Sequence, residues 1–461
     1  MIENLINYLK NKNLAILGFG KEGKSTYKFL RKYVDVNITI FDVNEAIKDD
    51  PLVSNDSNLK IVNDYTYEEI LENYDLVIKT PGISLKDVDT TKYKDKITSQ
   101  IELLFEFFDI LTIGITGTKG KSTTTSLIYE VLKNQLNDVY IGGNIGIPVF
   151  DNLEKLNKNS IYVIELSAYQ LQYVKKSPKI SLLLNLFEEH LDFFGGKDNY
   201  YNAKINIANY QKENDVLFYK GDNLDVIKYL NGHIFGKTYK VMDKDILDNN
   251  SIFIKDGFVC LRENNEITKL YDCNSDRILK GNNNLKDIMF VMGVAKYLNL
   301  DLVKAINDIN SFKGLEHRME YVGKIDEVTY YNDSIATIPQ ATINNVETIG
   351  NVDTLIFGGM DRGIDYKPLI NYLTDCSISN LICMPETGTK IGKFLLDNGC
   401  SSNIYFADTL ESAVSIAKEV TKKGKSCIMS PSAPSYNYFK NFEEKGNYFK
   451  QLVLESNIKQ K

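Results

Sequence analysis

Gly117-Thr118-Lys119-Gly120-Lys121-Ser122-Thr123 sits between an apolar run, residues 111–116, and a segment with helical patterning from Ser126. Strand, glycine loop and helix in that order form a phosphate cradle. Glycines let backbone N–H groups turn toward an anion, and a helix N-terminus adds partial positive charge. Lys121 can reach the outer phosphates, and the Ser122 hydroxyl can take Mg²⁺. The loop is shorter than the common pattern, with Ile115 where that pattern has its first glycine. Residues 117–123 are therefore expected to bind a nucleoside triphosphate; the bland alternative is a Gly/Ser/Thr turn before a helix. Glu165 closes the next apolar strand, well placed to hold Mg²⁺ beside the phosphates. His190 lies among acidic residues in Glu188-Glu189-His190-Leu191-Asp192, where it is either a metal ligand or a structural hydrogen-bonder. Lys204, in Tyr201-Asn202-Ala203-Lys204-Ile205, reads on its own as an ordinary helix lysine. Asn144 is the one polar side chain of a glycine-rich turn, residues 142–146.

A second glycine loop, Gly18-Phe19-Gly20-Lys21-Glu22-Gly23, follows the first apolar strand, and Asp42 ends the next. This is the Gly-x-Gly-x-x-Gly fingerprint with an acidic ribose partner, which suits a diphosphate-bearing nucleotide. It fits NAD or a UDP-sugar, and also a tight turn without ligand. Thr80-Pro81-Gly82-Ile83 follows the third strand and reads as a turn.

The elements that must position these residues alternate between apolar strands and helical patterns. Strands are expected at 14–17, 37–41 and 75–78, at 112–116, 162–165 and 180–185, and at 353–357, 380–384 and 426–429. Continuous apolar strands separated by helices imply mainly parallel sheets covered on both faces. The fold class is α/β, in three domains: a Rossmann-like domain at 1–100, a central ATPase-like domain at 101–313, and a second Rossmann-like domain at 314–461. Short alternating runs within 215–276 suggest a small antiparallel insertion in the central domain. At 461 residues the chain is too long for one ordinary core. A net charge of −7 gives no basic footprint for nucleic acid. No apolar run approaches the ~20 residues of a membrane span. Met1-Ile2-Glu3-Asn4 lacks a signal peptide's basic start, so a cytoplasmic monomer is expected. Six cysteines without a C-x-x-C pair read as reduced thiols.

Together these segments resemble the Mur ligase family, ATP-dependent amide-forming enzymes of peptidoglycan precursor synthesis. The likeness runs essentially end to end. It is carried by residues 116–122, Gly143-Asn144-Ile145-Gly146, Glu165-Leu166-Ser167 with Gln170-Leu171, Glu189-His190-Leu191-Asp192, Ala203-Lys204, His317-Arg318, Asn332-Asp333-Ser334 and Ser430-Pro431. Phe439-Lys440-Asn441-Phe442-Glu443 followed by Lys445-Gly446 is most like the member that joins glutamate to UDP-N-acetylmuramoyl-L-alanine. The resemblance implies ATP, two Mg²⁺ ions and an acyl-phosphate intermediate. It implies that Ser122 and Glu165 hold one metal, and that His190 and a carbamylated Lys204 serve the second. It assigns Gly18, Gly20, Lys21, Gly23, Asp42, Gly82 and Asn144 to the UDP substrate. Asn284, Arg318 and Asp333 go to ATP, and Thr337, Arg362, Ser435 and Phe442 to the amino acid. Catalysis falls to Lys121, His190 and Lys204.

Ile335 stands where the family often has lysine, which removes one cation that would pair a carboxylate. Arg362 offers a bidentate grip on a carboxylate, so glutamate is expected, and the resemblance implies its D form. L-glutamate, and a folate substrate as in folylpolyglutamate synthases, are the near alternatives. An NAD-dependent dehydrogenase or a non-catalytic nucleotide-binding module would leave the phosphate loop or the metal-ligand candidates idle.

Overall fold

The computed structural model describes residues 1–34, 36–245, 247–436 and 438–455. Three sheets organise it. The first contains β1 (Leu14–Leu17), β2 (Ile38–Phe41), β3 (Leu59–Val62), β4 (Leu76–Lys79) and β5 (Ile97–Thr98), in the order β3-β2-β1-β4-β5. All four pairings are parallel. The second contains β6 (Leu111–Thr116), β7 (Val139–Gly143), β8 (Ile161–Glu165), β9 (Ile180–Leu183), β10 (Val216–Lys220), β11 (Lys237–Val241), β12 (Ser251–Lys255), β13 (Phe258–Glu263) and β14 (Glu266–Asp272). Its order is β14-β13-β12-β11-β10-β9-β6-β8-β7. The third contains β15 (Glu320–Ile325), β16 (Val328–Asn332), β17 (Val352–Phe357), β18 (Asn380–Cys383), β19 (Asn403–Phe406) and β20 (Ser426–Met429), in the order β15-β16-β20-β17-β18-β19.

Segment 215–276 does not stand apart as an insertion. β10 and β11 continue the parallel pairing from β9, and β11 pairs parallel with β12. Only β12, β13 and β14 run antiparallel, as a meander at the sheet edge. Alternation marked the meander; β10, buried at every position, carries the continuous apolar signature of a parallel strand.

Topology fixes where ligands belong. In open α/β sheets they sit at the carboxyl ends of strands, where the strand order reverses. The order reverses around β1 in the first sheet and around β6 in the second. These are the strands that the two glycine loops follow. In the third sheet the reversal lies between β17 and β20, so the loops from Gly358 and Ser430 meet there.

Residues 1–275 with 286–309 form one compact unit, and residues 276–285 with 310–461 form another. Within the first unit, one apolar core runs from Leu30 and Ile40 to Leu166 and Leu171, so the first two sheets share packing. Ser25 Oγ donates to Asp151 (2.6 Å) and Lys86 Nζ to the Asp192 carbonyl (2.9 Å), across the same junction. In the second unit, two clusters cover opposite faces of the third sheet, one around Phe449 and Met429, the other around Phe357 and Leu369. All six cysteines are free thiols. Among the described residues no helix is long and apolar enough to cross a membrane.

Candidate functional site

The loop at 117–123 leaves β6 and opens the helix Lys121–Lys133. Gly120 is the helix N-cap and is left-handed (φ 82°), a conformation that suits glycine. Asn185, just after β9, clamps the loop from both sides. Its Oδ1 accepts from Lys119 N–H (2.8 Å), and its Nδ2 donates to the Lys119 carbonyl (3.0 Å). Lys121 Nζ donates to the Gly117 and Thr118 carbonyls (both 2.9 Å). Ser122 is buried on the first helical turn and Thr123 follows it.

The parallel register sets Glu165 beside Ile115, two residues before Gly117. Its side chain is 1% exposed. Oε1 accepts from Asn144 Nδ2 (2.6 Å), while Oε2 is buried without a hydrogen-bond partner. A buried carboxylate oxygen with no donor is a costly arrangement that a cation corrects. Gly143 makes the approach possible: at φ 89°, a Cβ there would meet the Glu165 carbonyl oxygen at 2.2 Å. Mg²⁺ is commonly held by one or two protein groups plus substrate phosphates. Ser122 and Glu165 fit that demand, and among the described residues there is no cluster of three or more His, Cys, Asp or Glu that would form an all-protein cage.

Lys204 is the tertiary surprise. It lies on the helix Lys197–Asn209, is 2% exposed, and donates to the Gly117 carbonyl (2.8 Å). Its ammonium stacks over the Tyr200 ring (4.9 Å). Burial pushes its pKa well below the usual lysine value, the Lys121 charge adds to the effect, and Glu189 and Glu165 oppose it. A deprotonated amine is what carbamylation by CO₂ requires. His190 is exposed at the start of the short helix Leu191–Phe194, 5.3 Å from the Tyr169 ring and 6.0 Å from Tyr200. Desolvation lowers its pKa, Glu189 opposes this, and Lys204, Lys121 and Lys119 reinforce it. The shift favours the neutral imidazole, which has a lone pair to offer.

Two glycines of the first loop serve packing. A Cβ on Gly18 (φ 91°) would meet Thr80 Oγ1 at 2.1 Å, and one on Gly23 would meet the Gly18 carbonyl at 2.2 Å. Gly20 and Gly82 face open space, where a ligand can approach their backbone. Lys21 is exposed beside them. The Asp42 carboxylate accepts from Phe19 N–H (2.7 Å), holding the loop to β2.

In the second unit, Arg362 follows Gly358-Gly359 after β17, and its guanidinium lies over the Tyr436 ring (5.2 Å). Ser435 is buried and its Oγ has no hydrogen-bond partner. Thr337 is exposed, and Phe442 starts the helix Phe442–Leu454 with its ring edge-on to His317 (5.8 Å). Asp333 is wholly buried. It accepts from Ser430 Oγ (2.6 Å), Asn345 Nδ2 (2.7 Å) and Met319 N–H (3.2 Å), and desolvation raises its pKa to about 6. Asp333 therefore ties the β16 and β20 loops together. Arg318 is exposed nearby in sequence, and Asn284 donates to the Lys280 carbonyl (2.5 Å).

Sequence reasoning missed Asn185, Tyr200 and Asp287. Asp287 is buried against the phosphate loop: a Cβ on Gly120 would meet its Oδ1 at 2.5 Å. Desolvation raises its pKa to about 8. Its place three residues after Asn284, on the same helix, was the available signal.

A phosphate loop at the reversal of a parallel sheet, a metal-ready carboxylate and a buried lysine define an ATPase-type centre. A model of the Mur ligase middle domain matches residues 115–295. The chain belongs to the Mur ligase family. Among its relatives, the UDP-N-acetylmuramoylalanine--D-glutamate ligase of Clostridium botulinum (strain Langeland) is 32% identical over 464 residues, covering 97% of both chains. The enzyme of the same name from Clostridium acetobutylicum is 34% identical over 461 residues, again covering 97% of both. The fold is that of MurF ligase from Thermotoga maritima, solved in complex with ADP (TM-score 0.53, 16% identity, 97% and 96% of the two chains).

Proposed function

We propose that the protein joins D-glutamate to UDP-N-acetylmuramoyl-L-alanine, driven by ATP, through an acyl phosphate. The observation that carries this reading is the meeting of Lys121, Glu165 and Lys204 around one phosphate loop, in a chain related end to end to ligases of that name. The alanyl carboxylate attacks the γ-phosphorus, the bond to ADP breaks, and an acyl phosphate forms. Two anions must approach each other, so charge neutralisation and positioning dominate catalysis. Lys121 supplies one cation. Mg²⁺, held by Ser122 and Glu165 and at a second position near His190 and a carbamylated Lys204, supplies further positive charge when bound. The glutamate amine, as free base, then attacks the acyl carbon, and phosphate departs with the electron pair and one former carboxylate oxygen.

Gly20, Lys21, Gly82 and Asn144 face the nucleotide substrate, with Gly18, Gly23 and Asp42 shaping the loop. Asn284 and Arg318 take the adenosine part of ATP, and Asp333 orders the loops beside it. Arg362 grips a glutamate carboxylate, with Thr337, Ser435 and Phe442 around it. The reaction belongs in the cytoplasm, where its three small substrates occur, and needs a single copy of the chain. Phosphate release measured with UDP-N-acetylmuramoyl-L-alanine, ATP and, separately, D-glutamate, L-glutamate, L-lysine and glycine tests the reading. Dependence on D-glutamate alone is expected; no response to any amino acid overturns it, and a response to L-glutamate alone changes the substrate.

A further inference from the structure

The helix Phe442–Leu454 buries Lys445 and Gly446 in its first turns. Gly446 allows close docking: a Cβ there would meet His317 Nδ1 at 2.2 Å and Ser334 Oγ at 2.4 Å. Lys445 is 3% exposed, and among the described residues no charged group acts on it. Its Nζ donates to the Gly358 carbonyl (3.1 Å). Desolvation alone lowers its pKa to about 8. A buried ammonium without a counter-ion detracts from stability, so packing gives no reason for a lysine here.

The partner of that ammonium is informative. Gly358 follows β17 at φ 122°, where a Cβ would meet the Met384 carbonyl oxygen at 2.2 Å. Its N–H donates to the Pro431 carbonyl (2.9 Å), and Met360 N–H donates to the Pro434 carbonyl (2.8 Å). The loop after β17 is thus laced to the loop after β20, and Arg362 and Ser435 stand at their ends. Lys445 pins the root of this pair from the helix side.

We propose that Lys445 is a positioning residue for the amino-acid substrate: it fixes the Gly358 carbonyl, and through it the loop that presents Arg362 to a side-chain carboxylate. The inference rests on the ligase reading. Lys445→Met keeps the length and apolar stem but removes the charge, so the variant is expected to fold with a Tm equal to or above wild type. KM for D-glutamate is expected to rise about tenfold, with kcat, KM for ATP and KM for the UDP substrate changed by less than about threefold. Lys445→Arg, which keeps a donor, is expected to restore KM. Amide hydrogen exchange over residues 358–363 is expected to quicken in Lys445→Met and to stay slow in Lys445→Arg. An unchanged KM for D-glutamate overturns the proposal, and so does a rise shared by all three substrates with a fall in kcat. If the wild type itself shows no amino-acid-dependent turnover, the ligase reading fails. Hydrogen exchange still decides the positioning role: unchanged exchange in Lys445→Met overturns it, and faster exchange supports it.

Discussion

Lys204 donates to the Gly117 carbonyl (2.8 Å) from a buried position, and desolvation, reinforced by the Lys121 charge, makes it release its proton at lower pH than a surface lysine. The free amine can attack CO₂ at carbon and lose a proton to solvent, leaving an anionic carbamate beside the phosphate loop. Lys204→Ala is expected to lose about 10²–10⁴-fold in turnover, the range typical of a removed catalytic group. A short carboxylate such as acetate, diffusing into the space, is expected to restore part of it; full activity without rescue contradicts the role. Little in the sequence marks this residue out. Burial is a tertiary property, and in Tyr201-Asn202-Ala203-Lys204 nothing local distinguishes it from a solvated helix lysine. Lys121 and Ser122 were legible because their chemistry depends on immediate neighbours in the chain. Asp287 was not, since its place against Gly120 arises only when the helix Asn282–Tyr297 docks.

Two glycines, two positions apart in one loop, separate packing from binding. A Cβ on Gly18 collides with Thr80 in a left-handed backbone, whereas one on Gly20 meets nothing within 4 Å. Gly18→Ala is expected to destabilise the protein by at least about 2 kcal/mol, visible as a lower Tm. Gly20→Ala is expected to keep Tm within about 2 °C, because the site is open. It is expected to raise KM for UDP-N-acetylmuramoyl-L-alanine instead, since on the proposed reading the methyl group would lie where the ligand's phosphates approach the backbone. Equal KM in Gly20→Ala and wild type removes the loop from substrate binding. At this scale nine strands, three in each sheet, could be read from continuous apolar runs. β3 could not: Leu59–Val62 is only partly buried and includes a lysine. β7 ends in Gly142-Gly143 and read as a turn, because glycine is a poor strand former. It is a strand because the Cβ-free residue lets β7 lie against the Glu165 backbone.

At the scale of the whole molecule, each of three glycine-bearing loops has a defined topological place. Each follows a strand at a reversal of strand order, and strand order cannot be read from the chain, only strand existence. The sequence thus indicated three glycine loops after strands without showing that all three lie where strand order reverses. The proposed reaction turns on activation of the substrate carboxylate by phosphorylation. The direct test uses UDP-N-acetylmuramoyl-L-alanine labelled with ¹⁸O in both alanyl carboxylate oxygens, together with ATP and D-glutamate, and reads the mass of the phosphate released. One ¹⁸O is expected in each phosphate, matched to amide formed. Phosphate carrying only solvent or ATP oxygen, alongside amide product, would contradict it.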